Sequence, residues 1–75
     1  MKELINKPWS YTFFEDDNKY FLSVLCGSSA LFEINLILEE EETALYNTFG
    51  EDYIESLAIN VKEDPSKYSD RNTTF

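Results

Sequence analysis

The chain has 75 residues, 43% apolar and 16% aromatic, and its fifteen Asp and Glu against six Lys and Arg leave a net charge of −9 with no histidine. Such a chain makes one domain, near the lower size limit for folding without staples, yet six Phe, five Tyr and one Trp supply a real core and exclude the aromatic-poor composition of disorder. The charge repels nucleic acid and anionic membranes and favours basic partners, and the missing histidine excludes His-based nucleophilic triads.

Residues 1–8 contain no apolar stretch of signal-peptide length. No run approaches the roughly 20 residues of a membrane span, so a cytoplasmic protein is expected. Residues 9–15 and 20–26 are rich in aromatic and aliphatic side chains and flank Asp16-Asp17-Asn18-Lys19, the pattern of a β-hairpin with a polar turn. A two-residue turn at Asp17-Asn18 pairs Glu15 with Tyr20, Phe13 with Leu22 and Tyr11 with Val24. A four-residue loop pairs Phe13 with Tyr20, Tyr11 with Leu22 and Trp9 with Val24. Either places the large residues on one face, whereas a three-residue loop splits them.

Gly27-Ser28-Ser29 reads as a three-residue turn into a third strand. With Cys26 opposite Ala30, Val24 faces Phe32, Leu22 faces Ile34 and Tyr20 faces Leu36, and the same face stays apolar. The opposite face carries Ser10, Thr12, Phe14, Phe21, Ser23, Leu25, Leu31, Glu33, Asn35 and Ile37. It is mixed, which fits either cover by the termini or a second layer, or a recognition surface.

From Glu39 the period changes. Glu39 to Glu42 suit the first turn of a helix, where carboxylates meet the positive end of the dipole, and Leu45 and Phe49 share a side at i, i+4. Ile54, Leu57, Ala58 and Val61 form a second stripe at i, i+3, i+4, i+7. That stripe is rotated by more than a right angle from the first, so Gly50 is the expected break, giving helices over about 40–48 and 51–63. Pro65 ends the second helix, Tyr68 folds back onto the core, and the end of the 65–75 tail is expected to fray. The expected architecture is α+β: one domain, 1–75, with a three-stranded antiparallel meander (about 9–38) packed on one face by two C-terminal helices.

No catalytic group, cofactor or metal site is expected. Asp16-Asp17-Asn18 lacks the alternating ligand spacing of a calcium loop, one Cys without His argues against zinc, and Gly27 and Gly50 are too far apart for a phosphate-cradling loop. Cys26 lies in an apolar run and packs as a small hydrophobe. Binding remains. Carboxylates beside aromatics suit a basic protein surface, charge giving rate and orientation and aromatics giving affinity. The expected partner-binding residues are Glu15, Asp16, Asp17 and Glu33, the helix-start residues Glu39, Glu40, Glu41 and Glu42, and Phe14, Phe21 and Asn35 as anchors.

The string Phe13-Phe14-Glu15-Asp16-Asp17-Asn18-Lys19-Tyr20-Phe21-Leu22-Ser23-Val24-Leu25-Cys26-Gly27 resembles the opening hairpin of small acidic bacterial immunity proteins. Tyr46, Gly50, Tyr53-Ile54, Leu57-Ala58 and Pro65-Ser66-Lys67-Tyr68 resemble their helical half, so the likeness spans about residues 8 to 71. It implies a cytosolic antitoxin of contact-dependent growth inhibition or polymorphic toxin systems. Such a protein binds one cognate toxin domain, often a nuclease, and occludes its basic active-site surface; contact residues do not carry over, since these interfaces differ from pair to pair. Two other readings compete: a DNA-mimic inhibitor of DNA-binding proteins, and a small acidic adaptor or regulatory module, in one version a homodimer through the mixed sheet face.

Overall fold

A computed structural model of the protein describes residues 1–27 and 30–73. Four strands, β1 (Lys2–Lys7), β2 (Tyr11–Asp16), β3 (Lys19–Cys26) and β4 (Phe32–Ile37), precede two helices, α1 (Glu40–Phe49) and α2 (Glu51–Glu63), and two short 3-10 turns, Pro65–Lys67 and Ser69–Arg71. The strands form one antiparallel sheet in the order β1-β2-β3-β4.

The sheet is organised by the β2–β3 turn. Asp17 and Asn18 have φ of 52° and 65°, the two left-handed residues that a two-residue type I′ turn demands and that Asp and Asn tolerate. Of the two registers compatible with the sequence, the structure has that of the two-residue turn, with Glu15 opposite Tyr20, Phe13 opposite Leu22 and Tyr11 opposite Val24.

Two expectations are corrected. The sheet has a fourth strand, β1, whose apolar period is broken by a bulge at Leu4. Leu4 and Ile5 therefore both pack against the core, a pairing that strict alternation forbids. The β3–β4 connection is also longer than expected. Cys26 pairs with Phe32, Val24 with Ile34 and Leu22 with Leu36, a slip of two residues, which keeps every side chain on its face. Gly27 permits the longer loop: its φ is 99°, and a Cβ there would collide with the Ala30 carbonyl oxygen. Ser28 and Ser29 of the expected turn lie outside the described residues.

The core lies between the sheet and the helices. Tyr11, Phe13, Leu22, Val24, Cys26, Ile34 and Leu36 from the strands meet Leu38 and the whole expected α2 stripe of Ile54, Leu57, Ala58 and Val61. Phe13 stacks on Tyr20 with ring centroids 5.4 Å apart, and Tyr46 of α1 meets both edge-on at 4.9 and 5.1 Å. Tyr46 thereby takes the place expected of Phe49, which is 62% exposed at the last residue of α1. Burial pushes the Cys26 thiol up, with the Lys62 charge offsetting part of the rise, consistent with a packing role.

Gly50 separates the helices as expected. Its N–H caps α1 on the Tyr46 carbonyl at 2.7 Å, and φ 69° with ψ −144° is a conformation essentially restricted to glycine. This kink lets α2 present its own stripe to the sheet. Beyond α2, Tyr68 packs against the core. The tail is more ordered than expected: the Thr73 N–H donates to the Asn35 carbonyl at 2.9 Å, and the Asn35 N–H donates to Asn72 Oδ1 at 2.8 Å. Thr74 and Phe75, to which the fraying expectation also applied, lie outside the described residues.

Two predictions follow from these placements. Nothing approaches a Cβ on Gly50 within 4 Å, so Gly50→Ala lowers stability through backbone strain alone, by about 1–3 kcal/mol. Asn gives no rescue, because ψ lies outside the ordinary left-handed region; urea denaturation of both variants measures this. The Tyr11 hydroxyl is buried without a hydrogen-bond partner among the described residues, and Tyr11→Phe therefore costs less than about 1 kcal/mol or stabilises, read from the thermal midpoint.

Candidate functional site

The two acidic clusters, far apart in the chain, meet at one end of the sheet. Asp16 pairs with Lys19 beside the hairpin tip, and the Leu38 N–H donates to the Tyr20 carbonyl at 2.9 Å, which carries the chain from β4 straight into Glu39 and α1. A shallow concavity of about 390 Å³ joins the two, lined on one side by Asn18, Lys19 and Tyr20 and on the other by Glu40, Thr43, Ala44 and Asn47. Glu40 lines it, and Asp16, Asp17, Glu39 and Glu41 are exposed in the segments that flank this lining. Glu15 is half-buried against Tyr20, whose hydroxyl is pushed up first by burial and then by the Glu15 carboxylate.

Glu42 is the exception within its cluster. Its carboxylate accepts two hydrogen bonds from Arg71, Nη2 to Oε1 at 2.6 Å and Nη1 to Oε2 at 2.9 Å. It also accepts the Glu39 N–H at 2.8 Å, closing the capping box of α1. Arg71 Nη2 additionally donates to the Ile37 carbonyl at 3.1 Å, so one guanidinium ties the tail, the end of β4 and the start of α1 together. The pair is largely sequestered, with side-chain exposures of 27% for Arg71 and 13% for Glu42. Glu42 was expected to face a partner; here it serves the fold. Burial raises its pKa, but the Arg71 hydrogen bonds, the Glu39 amide and the Arg71 charge together outweigh burial and hold it below the ordinary carboxyl range.

The remaining expected contact residues lie elsewhere. Phe14, Phe21, Glu33 and Asn35 point to the face away from the helices, in register with Glu3, Ile37, Leu25 and Ser23 respectively. Phe21 is 8% exposed, too buried to anchor a partner as the protein stands, and Phe14 is half-buried. The Asn35 side chain accepts the Ser23 hydroxyl at 2.7 Å while its backbone is taken by the tail. Glu33 is exposed beside Leu25 near the opposite end of the sheet and so stands apart from the acidic end.

The residue that sequence reasoning overlooked is Trp9. It is 81% exposed and adopts φ 64° in the β1–β2 turn closed by the Ser10 N–H donating to the Lys7 carbonyl at 2.9 Å. Pro8 precedes it, and a Pro followed by a positive-φ residue is the layout of a type II turn, whose third position ordinarily takes Gly or Asn. A bulky residue there costs on the order of 1–2 kcal/mol, and Trp9 recovers little of that by burial. Pro8 was the available signal for the turn; nothing local announces that a Trp fills its glycine position. Among the described residues no group of three or more His, Cys, Asp or Glu side chains is arranged to hold a metal ion, and no helix is long and apolar enough to cross a membrane.

Because folding depresses the Glu42 pKa, the native protein binds fewer protons than the unfolded chain between the two values. The stabilisation is complete above the ordinary carboxyl range and is lost as pH falls through the depressed native value. Glu42→Gln is accordingly expected to cost about 1–3 kcal/mol at neutral pH, a difference from the parent that shrinks as pH falls from the ordinary carboxyl range through the depressed native value; denaturant titrations across pH check both parts.

Comparison with protein-family models, with curated proteins and with solved structures returns no match to this chain.

Proposed function

We propose that the chain is a stoichiometric inhibitor, an immunity protein that neutralises a cognate toxin domain by covering its basic active-site surface. The observation that carries the reading is the acidic end: Asp16, Asp17, Glu39, Glu40 and Glu41 are exposed in the two chain segments, around residues 18–20 and 38–40, that meet across one concavity. Concentrated like charge on a small body steers a cationic partner into a preferred orientation and raises the association rate. A nuclease must expose cationic groups where it holds phosphates, and carboxylates presented at that position compete for them. The aromatic triangle of Phe13, Tyr20 and Tyr46 packs α1 against the hairpin at this end, and a surface formed in advance lowers the ordering cost of docking.

The acidic residues reach one another through the fold, at one end, rather than along an extended stripe. That arrangement favours a single partner over a general mimic of DNA, whose charges must follow phosphate spacing along an elongated surface.

The test pairs the protein with any nuclease toxin domain found encoded beside it. One equivalent is expected to abolish nuclease activity. Reversing Asp16, Asp17 and Glu40 to lysine is expected to slow association about tenfold or more at low salt and to flatten its salt dependence, while Glu63→Lys, on the last turn of α2, leaves both unchanged. A neighbouring toxin unaffected by excess protein, an unaltered association rate in the triple reversal, or equal inhibition of unrelated DNA-binding proteins overturns the reading.

A further inference from the structure

The Trp9 turn is built rigidly around a residue that gives the fold little in return. Beyond its own closing hydrogen bond, the Ser10 carbonyl accepts the Leu25 N–H at 2.8 Å and the Ser10 hydroxyl accepts from Lys62 Nζ at 2.7 Å. Strand β3 and helix α2 thus hold the turn from two sides. The held side chain is nonetheless solvent-facing, in a backbone conformation that disfavours it. An exposed, preorganised tryptophan maintained against backbone strain is what an interface anchor looks like in the free protein.

Its surroundings narrow the ligand. Trp9 forms one wall of a cleft of about 150 Å³ on the sheet face away from the helices, with Thr12, Ser23, Leu25 and Glu33 on the other sides. Thr12 and Ser23 contribute small polar groups to its lining and Glu33 a carboxylate. Ser23 Oγ lies 3.1 Å from Glu33 Oε2 and 2.7 Å from Asn35 Oδ1, and its single proton serves only one of them at a time. Among the described residues no Lys or Arg forms an ion pair with Glu33; Lys7, which also lines the cleft, pairs instead with Glu51 at 3.7 Å. An exposed indole and an unneutralised carboxylate lining one cleft, on a chain of net charge −9, complement a planar cation. Arginine meets both requirements, stacking its guanidinium on the ring while donating to the carboxylate. Lysine, a compact and strongly hydrated point charge, meets them less well.

We propose that Trp9 and Glu33 form an arginine-reading site, a second contact at the end of the sheet opposite the acidic surface, which receives an arginine side chain of a basic protein partner. The proposal rests on the reading of this chain as a binder of basic proteins and assigns the anchor that long-range charge alone does not supply.

Trp9 is the only tryptophan of the chain, so its emission reports this site directly. The probes are hexa-arginine and hexa-lysine peptides, equal in charge. Saturating hexa-arginine is expected to shift and quench Trp9 emission, and to bind several-fold more tightly than hexa-lysine. Glu33→Gln is expected to shrink that preference. Trp9→Gly is expected to weaken hexa-arginine binding about tenfold or more by calorimetry, and to leave thermal stability equal or higher, since glycine relieves the turn. Opposite signs on binding and stability separate an anchor from a structural residue. The triple reversal at the acidic end is expected to weaken both peptides while retaining the Trp9 shift at saturation.

Equal affinity for the two peptides, unchanged Trp9 emission at saturation, or unaltered hexa-arginine binding by Trp9→Gly overturns the site. So does a concentration-dependent emission shift of the protein alone with a dimer mass in sedimentation, which would make a second copy of the chain the occupant. Neither peptide is a toxin, so failure here leaves the inhibitor reading standing, and a toxin left active leaves this site standing.

Discussion

Two left-handed residues at the tip of the β2–β3 hairpin, Asp17 and Asn18, decide which side chains can meet in this protein. A turn of even length places Tyr11, Phe13, Leu22 and Val24 on one face, and an odd count would have turned half of them to solvent. Everything on the helical side follows from that parity. The aromatic triangle that seats α1 needs Phe13 and Tyr20 on the same face, and the α2 stripe needs an apolar sheet beneath it. Even the slip of two residues in β4 is harmless, because it preserves parity.

The same turn creates the electrostatic character of the molecule. It puts Asp16 and Asp17 at the end of the sheet where β4 delivers Glu39, concentrating repulsion that opposes folding. Part of it is relieved by position, since the glutamates of the first turn of α1 meet the positive end of the helix dipole. Part is relieved by Arg71, which holds Glu42 bidentately and lies close to Glu39 at 3.9 Å. Among the described residues Asp16, Asp17, Glu40 and Glu41 form no ion pair, and an uncompensated charge of one sign is available to do work on a partner.

Much of this architecture was legible because it depends on local chemistry. Asp17-Asn18 reads as a tight turn, Gly50 as a break and the α2 stripe as a period, and each signal sits within a few residues of its consequence. The parts that were not legible depend on distance or on broken rules. Strand β1 hides because the bulge at Leu4 interrupts its alternation and because Lys2, Glu3 and Lys7 give it the polarity of a loop. The Glu42–Arg71 pair spans 29 positions, and no local pattern distinguishes Glu42 from the three glutamates before it. In the candidate site, the acidic clusters were visible as composition, but their convergence was a property of topology. Trp9 was invisible as an anchor for a different reason: its conformation contradicts its residue type.

The backbone pairing of Asn35 with the tail has a consequence for how the protein coexists with copies of itself. Both lateral margins of a four-stranded sheet offer unpaired peptide groups to any passing strand. On the β1 side the bulge and the charged side chains spoil the template. On the β4 side the Asn72 amide and the Thr73 N–H occupy the Asn35 peptide groups that a foreign strand would take, with the Arg71 guanidinium sealing the Ile37 carbonyl further along. Edge protection on this side thus rests on Arg71, Asn72 and Thr73, none of which belongs to the buried core: loss of their contacts would leave that core in place and open the β4 margin to a foreign strand.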